Sequence, residues 1–429
     1  MTVPEPPLIS LPPRNCDNLN IRSDILPIEF VACPSGGAHL NRDHIMIYSI
    51  HGGDVIPEVY YRGLGRVHRE YTVPGGDLER LFALEKDWGA NQVAASLARH
   101  LDTGGYWRVN IARVLMDFGR FPGITRTGSK HLDRYAINYP FSHALDFKRK
   151  RLVLENCYDS VSDVFERETP GKIIKLGIHS YDYHNPLPHP SRRGTIRPEV
   201  SLIYRSASFQ KYKHMPYGQF DPLYPDRLGE FTANRRLTSR ISLMLEKAGV
   251  PVSTNFPYYL PDGSVEVRSQ VWSFFNYLKK LFGDEHPHTR EDPAYMKVWD
   301  MLLDTNLRRT DSESLRSFLH MYRNAPRGLI NLFKAAQHAY EHIGSFVEER
   351  NGKLISYFRD GVTPCSAIAL EVRKDLIWSF HDDRTWHPKY GPDGLRTENV
   401  ELLSKLLAES IKTYMEKDRH LDPVSPLAD

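Results

Sequence analysis

Two histidines stand where apolar runs meet polar sequence. His51 follows IMIYSI (45–50) and opens His51-Gly-Gly-Asp54, and His179 follows IIKLGI (173–178) and opens His179-Ser-Tyr-Asp-Tyr-His184. Short apolar runs of this kind read as buried strands, so both imidazoles are expected at strand ends. Between them in sequence lie three carboxylates of interest: Asp54, and Glu85 and Asp87 in LEKDWGA. Two neutral imidazoles and one carboxylate are the donors a catalytic zinc takes, with a fourth position left to water or substrate. Spacing alone leaves Asp54, Glu85 and Asp87 open as the third donor. His184 and His189, in YHNPLPHP, read as loop residues.

The elements that must position these groups follow from periodicity. In GGDLERLFALEKDWGANQVAASLARHL (75–101), Leu81, Leu84, Trp88, Val93, Leu97 and Leu101 recur at spacings near three and four, which predicts amphipathic helix in two pieces around Gly89. Gly104-Gly105 reads as its stop. WRVNIARVLMDF (107–118) has strand character, 147–165 has a helical rhythm, and TANRRLTSRISLMLEKAG (232–249) is a helix ending on glycine. Residues 268–360 are almost wholly helical in pattern, CSAIALEVRKDLIW (365–378) returns to strand, and ENVELLSKLLAESIKTYMEK (398–417) is a last amphipathic helix.

This order predicts an α/β fold with a mostly parallel or mixed central sheet covered by helices on both faces. Such sheets bind ligands at the carboxyl ends of their strands, where His51 and His179 are expected. The organisation read from the chain is an extended proline-rich segment at 1–25, an α/β catalytic domain at 26–267 and 361–429, and a helical insertion or cap at 268–360.

Composition removes other classes. Lys+Arg 56 against Asp+Glu 53 leaves a formal charge of +3 on 429 residues, too little for a nucleic-acid surface. The basic run Lys148-Arg-Lys-Arg151 has no aromatic residues interleaved. Four cysteines without a Cys-x-x-Cys pair indicate neither a disulfide framework nor a thiolate zinc site. The proline-rich start lacks the features of a signal peptide, and no apolar run is long enough for a membrane span, so a cytoplasmic protein without membrane partners is expected. No Gly-x-Ser-x-Gly, P-loop or Gly-x-Gly-x-x-Gly element follows a strand, which disfavours serine hydrolases, P-loop enzymes and dinucleotide-binding enzymes.

Several short motifs, taken in order, resemble the N-formylglutamate amidohydrolase family, whose fold is like that of the zinc carboxypeptidases. They are IHGGDVIP (50–57), Asp87-Trp-Gly-Ala90, the arginine motif Arg113-Val-Leu-Met-Asp117-Phe-Gly-Arg120, IHSYDYH (178–184), Asn255-Phe-Pro-Tyr258 and the late Ala369-Leu-Glu371-Val-Arg373 segment. Gly52 replaces the family's usual Ser, and Phe118-Gly119 replaces Leu-Asn. The resemblance implies Zn2+ held by His51, His179 and Asp87, with Glu85 as the rival acid and Asp54 third. It implies Glu371 as general base and then acid, Arg113 and Arg120 as holders of a substrate carboxylate, and Asn255 and Tyr258 as hydrogen-bond donors to substrate.

The activity expected from it is zinc-dependent hydrolysis of the amide bond of an N-acyl amino acid or small peptide-like carboxylate. A zinc peptidase or cell-wall amidase acting on a larger substrate, and a binding protein that keeps the fold without hydrolysis, are the competing readings.

Overall fold

The computed structural model describes residues 19–34, 41–64, 75–120, 122, 135–184, 196–206, 221–225, 228, 230–261, 263–305, 310–360, 365–381, 388–389 and 392–418. The extended segment expected at 1–25 lies outside them as far as residue 18, and so does His189. The strands are β1 Asn20–Arg22, β2 Ile28–Ala32, β3 Ile45–Ser49, β4 Val55–Pro57, β5 Gly105–Val109, β6 Ile174–Tyr181, β7 Val200–Ile203, β8 Val252–Thr254 and β9 Ser366–Arg373. Among the described residues a seven-stranded sheet runs in the order β2-β5-β3-β6-β9-β7-β8, and β1 pairs with β4 separately. The central strands β5, β3, β6 and β9 are parallel, while β2 and β7 join antiparallel, so the sheet is mixed. β3 and β6 are buried along their whole lengths, the near-continuous apolar signature of interior parallel strands.

The helices used below are α1 Glu58–Leu64, α2 Gly75–Glu85, α3 Ala90–Leu101, α4 Phe147–Val153, α5 Asp159–Glu168, α6 Arg235–Lys247, α7 Val265–Glu285, α8 Pro293–Leu303, α9 Thr310–Leu319, α10 Ile330–Asp360 and α11 Thr397–Thr413. Val93, Leu97 and Leu101 of α3, Leu237 and Ile241 of α6 and Leu403 and Leu407 of α11 pack with Ile47, Leu176 and Leu370 of the sheet. Each such side chain contributes about 1.5–3 kcal/mol by leaving water. A second apolar layer gathers Met46 and Tyr48 with Val161 and Phe165 of α5 and Trp272 of α7. A third core, including Phe282, Trp299 and Phe346, joins α7, α8 and α10, so the helical pattern at 268–360 forms helices from residue 265 onward, with α7 against β6 and β9. Among the described residues no helix is long and apolar enough to cross a membrane.

The expected break near Gly89 is present between α2 and α3. Gly89 sits at φ 81, where a Cβ would come within 2.7 Å of Ile377. Three local expectations are corrected. α3 is closed by Asp102 in the left-handed region, with Gly104 following, rather than by the glycine pair alone. The strand expected over 107–118 ends at Val109, because residues 110–120 leave the sheet to bond with Asp54 and Val55 and with residues 136–138. His179 is not the end of its strand: β6 continues to Tyr181 because β9 pairs with it over that length.

α7 carries polar groups into the layer on the sheet. The Tyr48 hydroxyl donates to Glu266 Oε1 at 2.6 Å, and Gly177 leaves room for the pair, since a Cβ there would lie 2.6 Å from that oxygen. Lys175 is fully buried, donating to Thr169 Oγ1 and Ser269 Oγ at 2.7 Å each, with the Phe165 and Trp272 rings 5.2 Å away. Burial lowers its pKa to about 7, although Cys365 and Glu266 pull the other way. The unfolded chain therefore binds the more protons between about pH 7 and the ordinary lysine range, so this group's contribution is fully present above that range and is lost as pH falls through about 7. Replacing Lys175 by Met is expected to raise unfolding stability near pH 7 by an amount on the order of 2–4 kcal/mol, and to flatten its rise between about pH 7 and 10. Denaturant unfolding of both proteins across that range measures it; parallel curves would contradict the assignment.

Candidate metal centre

The chain leaves β3 at Ser49, and His51 follows two residues later. The backbone N–H of Asp87, in the short link between α2 and α3, donates to His51 O at 3.1 Å, which fixes the two segments together. His179 lies within β6, directly opposite Glu371 of β9 in the parallel ladder. Three strands and one helix entrance therefore converge on one point.

His51, Asp87 and His179 are all buried there, with donor atoms close enough to share an ion. His179 Nδ1 is 3.2 Å from His51 Nδ1 and 3.1 Å from Asp87 Oδ2, and His51 Nδ1 is 3.4 Å from Asp87 Oδ2. A tetrahedral ion bonded to nitrogen and oxygen at about 2.0–2.1 Å holds neighbouring donors roughly 3.3 Å apart. The triangle has the size and donor chemistry of such a site. Among the three acids open at the start, Asp87 is the one that joins the histidines. Glu85 instead faces Arg113 Nε at 3.5 Å and Asp54 faces Lys86 Nζ at 3.9 Å, each with its side chain 39% exposed.

Asp117 organises the layer behind the triangle. Its Oδ1 is 2.7 Å from His51 Nε2 and accepts from the Gly119 N–H at 2.9 Å, while Oδ2 lies 3.1 Å from Arg113 Nη2 and 3.2 Å from Arg120 Nε. An aspartate on Nε2 holds the proton there and leaves His51 Nδ1 as the lone pair facing the triangle. Arg113 also reaches Asp87 Oδ1 at 3.4 Å, and Arg120 donates to Asn138 Oδ1 at 2.8 Å. Both motif arginines are thus engaged with acids inside the protein. The clue to the larger role of Asp117 is a carboxylate inside the apolar run VLMDF, since a charge buried there must be paired.

Charge follows this geometry. Burial raises the Asp87 and Asp117 carboxyls, but His51 leads the neighbours that more than offset it, with His179 and Arg113 beside Asp87 and Arg113 and Arg120 beside Asp117, and both are held well below the usual range. Burial disfavours the charged imidazole of His179, yet its hydrogen bond to Asp87 and the charge of Glu371 raise its pKa to about 9. Burial leaves Glu371 above the ordinary carboxylate range even with His179 beside it.

Of the remaining expected residues, Tyr258 donates its hydroxyl to Glu371 Oε1, which places both at the centre. Glu371 is not paired with Arg373, which instead meets Asp375 at 2.7 Å and Glu199 at 3.6 Å. Asn255 has φ 53, and its Oδ1 accepts from the Tyr204 N–H at 3.0 Å, so its carbonyl oxygen is engaged in the turn that precedes Tyr258. The departure at Gly52 has a steric cause: a Cβ there would lie 2.5 Å from Asn91 Oδ1, whose amide nitrogen donates to Gly52 O.

No protein-family model matches the chain. No curated protein matches it. Among solved structures, it is similar to a gene product of Agrobacterium tumefaciens (TM-score 0.40, 13% identity, 91% of this chain and 96% of that one). It is also similar to an N-formylglutamate amidohydrolase from Ralstonia eutropha (TM-score 0.40, 12% identity, 90% of this chain and 99% of that one). Likeness at this level carries no chemistry, which rests on the side chains of this chain.

The arrangement makes a direct prediction about metal uptake. Asp87→Ala is expected to abolish stoichiometric zinc binding, Glu85→Ala and Asp54→Ala to leave it intact, and Asp117→Asn to weaken it by about 10–100-fold through loss of the second-layer contact to His51. Competition titrations against a chromophoric chelator read all four.

Proposed function

We propose that the protein is a zinc-dependent hydrolase of a carbon–nitrogen amide bond, acting on an N-acyl amino acid or small peptide-like compound with a free carboxylate, on a fold like that of the zinc carboxypeptidases. The observation that carries this reading is the donor triangle of His51 Nδ1, His179 Nδ1 and Asp87 Oδ2 with the hydrogen-bonded pair Glu371 and Tyr258 beside it. The ordered motifs that resemble the N-formylglutamate amidohydrolase family support it independently.

When bound by these three residues, zinc would polarise an amide carbonyl and lower the pKa of water. The rest is done by the chain. Glu371 is a carboxylate whose burial makes it a stronger base than an exposed one, and it sits opposite His179, where it takes a proton from the attacking water and returns it to the leaving nitrogen. Tyr258 orients that carboxylate in the resting site and has a hydroxyl proton to offer the oxyanion. Asp117 fixes the His51 ring, and Arg113 and Arg120 keep Asp117 and Asp87 ionised.

Purified protein is expected to contain about one zinc per chain and to release formate from N-formylglutamate faster than it cleaves longer peptides. Glu371→Gln should lower kcat by about 10²–10⁴-fold with zinc content unchanged, and Tyr258→Phe by a smaller factor. Absence of zinc, or full turnover in both Glu371→Gln and His179→Ala, would refute the reading.

A further inference from the structure

One cation near the centre has no acid among the described residues. Arg197 is 6% exposed, its Nε has no hydrogen-bond partner, and no carboxylate pairs with it among the described residues. Residues 185–195, immediately before it, contain no Asp or Glu. The contrast with its neighbours is sharp: Arg113 meets Asp117, Asp87 and Glu85, Arg120 meets Asp117, and Arg373 meets Asp375 and Glu199. An arginine cannot shed its charge, so an unpaired guanidinium in a buried position is costly unless something brings an anion to it.

Its position relates it to the metal centre. The Arg197 guanidinium lies over the Tyr181 ring, 5.0 Å from the centroid. Tyr181 follows His179 by two residues on β6, so both side chains leave the same face of the sheet, with backbones roughly 6.6 Å apart. Arg373 stands in the same relation to Glu371 on β9, and it is the register partner of Tyr181. The positive charge of Arg197 acts on the phenols of both Tyr181 and Tyr258.

The backbone that carries it is held on three sides. The Arg197 N–H donates to Tyr183 O at 2.9 Å, Arg373 Nη1 donates to Arg197 O at 3.1 Å, and the Tyr181 hydroxyl donates to Pro198 O at 2.5 Å. A guanidinium held over a ring and anchored in this way is preorganised, and its unpartnered Nε leaves it able to meet a planar carboxylate.

We propose that Arg197, on the Tyr181 ring, is the subsite for a carboxylate lying a few bonds beyond the group held at the metal centre, and that the motif arginines Arg113 and Arg120 serve the internal acids instead. The assignment rests on the metal reading only for the other end of the ligand. It makes the substrate or product a compound with two anionic or carbonyl ends, of the dicarboxylate or acyl-amino-acid class.

Glutarate and acetate serve as probes on the zinc-loaded full chain by calorimetric titration, since acetate occupies one end only. Arg197→Gln is expected to weaken glutarate by at least about 10-fold while acetate changes by less than about twofold, and Arg197→Lys to fall between them. The ligand-free thermal midpoint of Arg197→Gln should be unchanged or higher, because an unpaired buried charge has been removed.

Glutarate affinity unchanged in both variants, or glutarate and acetate weakened equally, overturns the assignment. So does a lower midpoint in Arg197→Gln accompanied by intact glutarate binding in Arg197→Lys. Protein that holds no zinc yet loses glutarate in Arg197→Gln keeps the subsite and removes the hydrolase reading; zinc-loaded protein indifferent to Arg197 does the reverse.

Discussion

The contact on which the site depends is a carboxylate behind an imidazole. Asp117 is almost completely buried and still ionised, and it stays so because Arg113 and Arg120 bring positive charge to it while His51 Nε2 and the Gly119 amide face it as donors. Removing any of these would leave an uncompensated charge in the interior, at a cost of about 3–5 kcal/mol for a broken buried pair. The turn at 110–120 is thus tied to β3, and the nitrogen that His51 presents is decided there. Every other feature of the centre presupposes that ring orientation.

Around this contact the protein concentrates more buried charge than its apolar layers carry. Asp87, Asp117 and Glu371 face His51, His179, Arg113 and Arg120 at the carboxyl edge of a sheet whose central strands are largely apolar. The groups stabilise one another, so the cluster behaves as a unit in which Asp87 and Asp117 stay ionised and the His179 imidazole stays basic. Such an arrangement favours binding a cation over maximal stability, a familiar compromise at functional sites.

Much of this was legible in the chain. Apolar runs ending in His51 and His179 gave the strands, and the three-and-four spacing through Leu81, Trp88, Val93 and Leu97 gave α2 and α3 with their break at Gly89, because burial patterns and glycine conformations are local properties. What was hidden depends on pairing between distant segments. The extension of β6 past His179 exists because β9 lies alongside it, and nothing in IHSYDYH announces a partner nearly two hundred residues away. The motif resemblance already set Asp87 ahead of Glu85, but the engagement of Arg113 and Arg120 turns on whether acids close over them. Arg197 carries no motif at all; it is conspicuous only once its surroundings are known to lack an acid.

The pairing of His179 with Glu371 has a consequence for how this chain can vary. Side chains alternate faces along a strand, so the proposed base and one candidate metal ligand stay adjacent only while β6 and β9 keep the same count of residues to that rung. Loops before and after these strands can lengthen freely, since chain closure costs grow slowly with length. A single residue gained or lost inside Ser366–Arg373 ahead of Glu371 would turn the carboxylate to the opposite side of the sheet. The ladder therefore acts as a ruler for the candidate centre, strict about parity and indifferent to much of the sequence written along it.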